Sequence, residues 1–390
     1  MKSNITKSYK RLKRYFGKFD RFQLLAIPVL LILVYFSIDF KSNDINIGII
    51  LPLTGNFAYR TQSHLNGIKL AVKNINESGG INNSRLRIIV KDSNLIDPAE
   101  ATRDLIYKEK VSMIIGGFSS EETRTIQYLS EKALIPFLTA ICTHFEIAKS
   151  ASYTFRSITD DQQQFEALSS LSSNRYQAKR PAIIYDTNLY GAESAQRYIE
   201  ICSKHSQQVT NALSFPKGTI NFREQLEALF KTNPDSLVIL APAADSALIV
   251  RQAREMKFNK PILGANQCAS SEFLRLAGIY SESIITTLPY NPRAGGQKLD
   301  TFLNAYQEKY GLKADSDAET GYEALMIVTL ALKTMSEKNL SLRESLASLK
   351  VWDSIIGSGG FDEDGNQVRP AEIAIIKERQ TIPISMEELF

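Results

Sequence analysis

A glycine pair followed by two serines, Gly116-Gly117-Phe118-Ser119-Ser120, could bind a small anion. The segment follows a short apolar run over residues 113–115, and Ser119 and Glu122 have the spacing of a helix capping box. The first N–H groups of a helix have no intrahelical partner, and the helix dipole places partial positive charge there. These residues therefore predict a site for an anion such as a carboxylate. For Ser119 and Ser120, a role limited to capping the helix is the alternative.

A second segment that could contact a ligand follows the first apolar run of the chain. Ile45–Leu51 is too apolar for a half-exposed strand, so it predicts a strand covered on both faces. Apolar residues then recur at helical spacing until Gly79 and Gly80. Ligands of parallel α/β sheets bind at the carboxyl ends of the strands. We therefore expect the loop over residues 52–61 to contribute to the site.

The reactive side chains give little support to an enzyme. The three histidines, His64, His144 and His205, form no HExxH pair, and the sequence contains no GxSxG motif. The one candidate pair of a nucleophile and a base in the sequence is Cys142 with His144. No CxxC motif or His-Cys cluster indicates a metal. We predict that the protein is not an enzyme and holds no metal or other cofactor.

Strand and helix patterns alternate in two successive series. The predicted strands lie at residues 45–51, 86–90, 113–115, 136–139 and 153–156, then at 182–185, 209–213, 237–240 and 261–264. Such alternation predicts an α/β fold of two Rossmann-like lobes with chain crossings at a hinge. Later helices are predicted at 297–309, 318–335 and 342–349, and a strand at 371–376. The predicted lobes comprise residues 45–161 with 290–356, and residues 162–289 with 357–390.

Positive charge is concentrated at the N-terminus. The net charge is +4, but residues 1–40 carry eight lysines or arginines and two aspartates, so the remainder is slightly acidic. The globular part therefore has no basic footprint, and we predict no nucleic-acid partner.

An uncharged segment follows these basic residues. Residues 22–38 contain no charged side chain. We predict a membrane contact through residues 22–38, a transmembrane anchor or uncleaved signal over 22–40, and a basic cytoplasmic tail over 1–21. A cleaved signal peptide is the alternative. Either reading places the globular part outside the cytoplasm.

The sequence contains three cysteines, Cys142, Cys202 and Cys268. This number is small and odd, so it does not indicate a disulfide framework. They are expected to be small buried side chains. One pair could still form a disulfide outside the cytoplasm, and the sequence does not indicate which.

Seven stretches, in the same order, resemble the type I periplasmic binding proteins of the branched-chain amino-acid branch. They are IGIILPLTG with LNGIKLAVKNINESGGI, DPAEATRDLI, YTFRSITDD, YGAES, LIVRQAREM, FLNAYQEKYG and GGFDEDGN. The likeness covers roughly residues 45–376. It implies two lobes that close on a small solute, a location on the periplasmic side of a bacterial inner membrane, and an ABC-type permease as partner.

The resemblance also implies which residues contact the carboxylate of an amino acid. The serine and threonine that hold it in the family correspond to Ser120 and Thr143, and the backbone of Ile141 is a further contact. An aromatic residue from the second lobe corresponds to Tyr190, which would close over the ligand. An ordinary loop role for Thr143 and a surface role for Tyr190 are the alternatives.

Other positions depart from the family. Tyr59 and Arg60 lie where the family presents a tyrosine, and Arg60 stands at the aligned position. Asn266 replaces the acidic residue that binds the amino group, and an amide can accept one hydrogen bond but cannot neutralise an ammonium. Pro242 replaces an aromatic residue. Asp245 could supply the missing charge. The simpler explanation for an acidic residue at this position is that it lies in the first turn of a helix and stabilises the helix dipole.

From these residues we predict an extracytoplasmic solute-binding protein that captures an amino-acid-like or carboxylate ligand by lobe closure, for an ABC-type transport system. A membrane-anchored receptor that signals to a partner is one alternative, favoured by an uncleaved anchor. A lobe pair that binds no solute and serves as an interaction scaffold is another, favoured by Asn266 and Pro242.

Overall fold

The structure is a computed structural model that describes residues 44–292 and 294–384. Two units are distinguished along the chain, Met1–Asp44 and Ile45–Phe390, and every element described here belongs to the second. The predicted tail over residues 1–21 and the predicted anchor over 22–40 lie outside the described residues. Within the described part of the chain, no helix combines the length and apolar character needed to cross a bilayer.

The first sheet has five parallel strands in the order β2-β1-β3-β4-β5, and with its flanking helices it forms lobe 1. Its strands are β1 (Ile45–Leu51), β2 (Leu86–Asp92), β3 (Met113–Gly116), β4 (Phe137–Thr139) and β5 (Thr154–Arg156). The central strand β1 is buried on both faces from residue 47 onward, as its apolar run predicts.

The second sheet has seven strands in the order β14-β13-β10-β9-β8-β6-β7 and forms the basis of lobe 2. Its strands are β6 (Pro181–Asp186), β7 (Asn211–Phe215), β8 (Ser236–Leu240), β9 (Ile262–Gly264), β10 (Ile285–Leu288), β13 (Glu372–Lys377) and β14 (Gln380–Ile384). Strand β13 is antiparallel to both of its neighbours. A separate antiparallel ribbon consists of β11 (Trp352–Ser354) and β12 (Gly357–Gly359).

Helices cover the sheets. They are α1 (Ala58–Glu77), α2 (Pro98–Arg103, continued by a π-helical turn over Asp104–Lys108), α3 (Ser120–Ala133), α4 (Asp161–Arg175), α5 (Leu189–Lys204), α6 (Arg223–Phe230), α7 (Ala243–Glu255), α8 (Ser271–Ala277), α9 (Gly296–Tyr310), α10 (Ser316–Lys338) and α11 (Leu342–Ser348). Short 3-10 turns span Asn266–Ala269 and Gly278–Ser281.

Helices α1 and α10 pack closely in lobe 1 because each has a glycine at the crossing. A Cβ atom at Gly67 would lie 2.0 Å from the carbonyl oxygen of Ala318, and one at Gly321 would lie 2.1 Å from that of His64. Side chains of both helices join β1 and β3 in one apolar core. Two further cores lie on the two faces of the second sheet.

The two-lobe α/β fold predicted from the sequence is confirmed. The nine strands predicted up to residue 264 are present with ends within two residues of the prediction, and the chain passes between the sheets three times. These passages lie between β5 and β6, between β10 and α9, and between β12 and β13. The sequence patterns missed β10, β14 and α8, which are short. The exact lobe boundaries stay predictions.

The three cysteines are buried and unpaired in the described structure. Cys142 follows β4, Cys202 lies in α5 and Cys268 lies after β9. Burial raises the pKa of the Cys202 and Cys268 thiols to about 12, so both are neutral at pH 7. They therefore pack as small apolar side chains.

Candidate functional site

The chain turns from β3 into α3 through the glycine pair. Gly116 and Gly117 have φ values of 153° and 78°, and a Cβ atom at Gly116 would lie 2.1 Å from the carbonyl oxygen of Ile50. Only glycine fits there. The Ser119 hydroxyl accepts a hydrogen bond of 3.1 Å from the Glu122 N–H, so Ser119 is the N-cap. Ser120, the first residue of α3, is 4% exposed.

The loop after β4 lies against this helix N-terminus. The Thr139 hydroxyl donates to the Gly117 carbonyl over 3.4 Å, which fixes the start of the loop beside the glycine pair. Ile141 packs on the core of lobe 1, and Thr143 is 5% exposed. The Thr143 carbonyl accepts from the Asp161 N–H over 2.8 Å. The structure therefore brings the two hydroxyl-bearing positions of the predicted site to neighbouring strand ends of lobe 1.

Tyr59 and Arg60 are engaged by protein side chains in this structure. The Arg60 guanidinium donates two hydrogen bonds of 2.9 Å to the Asp317 carboxylate, which neutralises its charge. The Tyr59 hydroxyl donates to Glu272 Oε2 over 2.7 Å and so joins lobe 1 to lobe 2. A cavity of about 210 Å³ lies beside this contact, lined by Tyr59, Ser271, Glu272 and Arg275.

The lobe 2 positions of the predicted site have different surroundings. The Tyr190 hydroxyl donates to Gln267 Oε1 over 3.2 Å, and burial raises the pKa of Tyr190 well above its ordinary value. The buried Oδ1 atom of Asn266 has no hydrogen-bond partner among the described residues. Asp245 lies in the first turn of α7, and burial together with the charges of Asp186 and Glu272 raises its pKa.

One buried acid near these residues was not among the predicted site residues. Asp161, the first residue of α4, is 0% exposed, and burial raises its pKa to about 7. The charge of Asp161 in turn raises the pKa of Tyr190, so the two side chains are close. Asp161 is the second aspartate of the stretch YTFRSITDD, which was the available sequence signal.

The lobes also contact one another through α3 and α5. The Arg124 guanidinium donates to both carboxylate oxygens of Glu193, over 3.2 and 2.7 Å. The Leu189 N–H, at the start of α5, donates to Glu121 Oε1 over 3.2 Å. His144 Nε2 lies 2.6 Å from Glu193 Oε2 without hydrogen-bond geometry. Burial lowers the pKa of His144 to about 4, so at pH 7 the Arg124–Glu193 pair carries the charge of this contact.

We expect Glu193→Gln to weaken lobe closure modestly. Both side chains of the Arg124–Glu193 pair are about one-third exposed, so solvent screens it and its loss should lower ligand affinity about 2- to 5-fold. A double-mutant cycle with Arg124→Met measures the coupling. Glu255→Gln is the matched control, because Glu255 pairs with Arg223 and Arg251 inside lobe 2. Equal effects of the two glutamate substitutions would contradict the assignment.

Within residues 44–292 and 294–384, no group of three or more His, Cys, Asp or Glu side chains is arranged to hold a metal ion. The site described above therefore consists of hydroxyls, amides, carboxyls and a helix N-terminus. Such groups bind polar parts of small organic molecules by hydrogen bonds and charge.

Comparison with known proteins agrees with this architecture. Residues 44–380 match the family model described as periplasmic binding protein. The chain is 23% identical over 335 residues to the leucine-, isoleucine-, valine-, threonine- and alanine-binding protein of Pseudomonas aeruginosa, covering 85% of this chain and 89% of that protein. A leucine binding protein from Thermotoga maritima superposes with a TM-score of 0.79 at 24% identity, covering 87% and 98% of the two chains. A solute binding protein of an ABC transporter from R. palustris, solved with benzoate, has a TM-score of 0.77 at 17% identity, covering 88% and 96%.

Proposed function

We propose, from the premise that this chain belongs to the periplasmic binding protein family, that it captures a small carboxylate-bearing solute between its lobes for an ABC-type transport system. The ligand class that we propose is an amino acid or a chemically related carboxylate. The observation that carries the proposal is the N-terminus of α3, where Ser120 is buried beside the loop that contains Thr143. Hydroxyl groups and free helix N–H groups in this position favour an anion.

The ligands for which similar proteins are named, or with which they were solved, support the same ligand class. The Pseudomonas aeruginosa relative is named for five amino acids, and the R. palustris structure contains benzoate. An amino acid and benzoate share one functional group, the carboxylate. A carboxylate-binding element kept in lobe 1 is consistent with both.

Lobe closure gives the proposed function its mechanism. A ligand held by Ser120 and Thr143 in lobe 1 would be covered by Tyr190 from lobe 2. Because contacts to both lobes exist only when the lobes are closed, ligand binding shifts the population toward that state. A permease can distinguish the closed protein from the open protein by the surface that the two lobes present. The membrane anchor over residues 22–40 and a signalling partner stay predictions.

A thermal-shift screen of the full-length chain tests the proposal. The panel contains L-amino acids, their 2-oxo acids, aromatic carboxylates and small amides. A ligand present at ~100 times its dissociation constant should add ~2.7 kcal/mol to the free energy of unfolding and raise the melting temperature measurably. The matched primary amines without a carboxylate serve as controls. A panel in which no carboxylate raises the melting temperature would contradict the proposed function.

A further inference from the structure

We infer that an open groove between α2 and α3, on the surface of lobe 1, is a docking site for an acidic segment of the permease. The inference rests on the proposed function, because it names the surface through which an ABC-type permease would recognise this protein. None of the residues proposed to bind the solute takes part in it.

The groove is formed by side chains of two adjacent helices. Its volume is about 310 Å³, and it is open to solvent. Residues four apart lie on one face of a helix, and both helices contribute such pairs. The lining residues are Ala99 and Arg103 of α2 and Arg124, Thr125, Tyr128 and Leu129 of α3. The lining therefore combines an aromatic ring and an aliphatic side chain with two guanidinium groups.

The charge of the lining is positive. None of the six lining residues is acidic. Arg103 is exposed and has no ion-pair partner among the described residues. The Lys132 ammonium lies 4.3 Å from the centroid of the Tyr128 ring and adds a further cation beside the groove. Carboxylates are the protein groups that match such a lining, because guanidinium groups bind them with two parallel hydrogen bonds.

The exposed aromatic residues favour a protein segment over a free anion. Tyr128 is 58% exposed, and Tyr107, four residues after Arg103, is 66% exposed. Tyrosine and arginine are enriched at the centres of protein–protein contacts, whereas small solutes bind in enclosed cavities. A nucleic acid needs a broad basic surface, which the slightly acidic globular part does not provide. A short acidic segment of a partner protein is therefore the occupant that fits.

Arg124 connects the groove to lobe closure. Its guanidinium donates to both carboxylate oxygens of Glu193 in α5 of lobe 2. A guanidinium has five N–H groups, so two bonds to Glu193 leave donors for a second carboxylate. Glu193 can hold Arg124 in place only when the lobes are closed, and an incoming carboxylate then does not bear the entropic cost of ordering this side chain. The groove is therefore complete in the closed protein, which is the form that carries the solute.

A charge reversal tests the groove in cells that carry the full-length chain and its permease. Uptake of the radiolabelled best ligand of the screen is expected to fall at least ~10-fold in Arg103→Glu, since a glutamate there would repel the acidic segment. The affinity of the purified variant for the same ligand should stay unchanged. Arg87→Glu is the matched control, because Arg87 is an exposed arginine of lobe 1 near the first residue of β2, away from α2 and α3. Its uptake should equal that of wild type.

Photo-cross-linking in the same cells identifies the occupant. The substitution Thr125→p-benzoylphenylalanine places a photoreactive side chain in the lining of the groove. Mass spectrometry of the cross-linked product is expected to show a segment of a permease subunit that contains aspartate or glutamate. The yield should rise when the ligand is present at saturation, because Arg124 is then held by Glu193.

The outcomes separate this inference from the proposed function. Normal uptake in Arg103→Glu, or an equal loss in Arg87→Glu, would overturn the inference alone. A cross-link to a second copy of this chain, or to a permease segment without an acidic residue, would overturn it as well. A yield that does not depend on the ligand would contradict the part assigned to Arg124. Unchanged uptake in cells that lack the whole chain would overturn the proposed function and the inference with it.

Discussion

Glu323→Gln is expected to lower the free energy of unfolding by about 3–5 kcal/mol. Glu323 lies in α10 and is 0% exposed. Its Oε1 atom accepts from Arg369 Nη2 over 2.8 Å, from the Ser354 hydroxyl over 2.6 Å and from Trp352 Nε1 over 3.2 Å. Loss of the negative charge leaves the buried guanidinium of Arg369 uncompensated. This network joins α10 to the β11–β12 ribbon, so its effect on stability should be global.

Urea unfolding of wild type and variants measures the effect. The double variant Glu323→Met/Arg369→Met should recover most of the loss, because it removes both charges together. Glu319→Gln is a matched control one turn earlier in α10, since Glu319 accepts from the Tyr290 hydroxyl over 2.6 Å and has no ion-pair partner in the described structure. A loss of less than 1 kcal/mol in Glu323→Gln would show that the ion pair contributes little.

Ser120→Ala and Thr143→Ala are each expected to weaken a carboxylate ligand ~10- to 100-fold. A hydrogen bond to a charged group contributes about 1.5–3 kcal/mol, and every ~1.4 kcal/mol changes an affinity tenfold. Titration calorimetry with the best ligand of the screen measures the change. Both residues are buried beside the N-terminus of α3, so the remaining helix N–H groups should retain part of the affinity.

Thr125→Ala is the control for these two substitutions. The Thr125 hydroxyl lies in α3 as well, but it donates to the Glu121 carbonyl of its own helix over 2.9 Å. Its removal should leave the affinity unchanged. Unchanged affinity in both Ser120→Ala and Thr143→Ala would remove them from the site.

Local features of this protein were predictable because they depend on residues close in sequence. Ser119 caps α3, as its spacing from Glu122 predicted, and Asp97 caps α2 in the same way through the N–H groups of Ala99 and Glu100. The strands up to residue 264 were recognised from apolar runs of the right length. The short strand β10, with two threonines among four residues, gave too weak a pattern.

The structure shows where the predicted site residues lie, and their role in binding a ligand stays a prediction. Ser120 and Thr143 lie at neighbouring strand ends because parallel strands bring their carboxyl ends to one edge. Arg60 was predicted to face a ligand, and in the structure Asp317 pairs with it from 257 residues away. No local pattern marks such a pair.

The sequence by itself determined the strands up to residue 264, the caps formed by neighbouring residues and the two-lobe architecture of this protein, since backbone hydrogen bonding and burial follow short-range periodicity. The tertiary structure alone decided which charges are satisfied. It paired Arg60 with Asp317 and Arg124 with Glu193, and it buried Asp161 close to Thr143 and Tyr190. The physical reason is that the cost of a buried charge depends on groups brought together from distant parts of the chain, and the fold alone sets those distances.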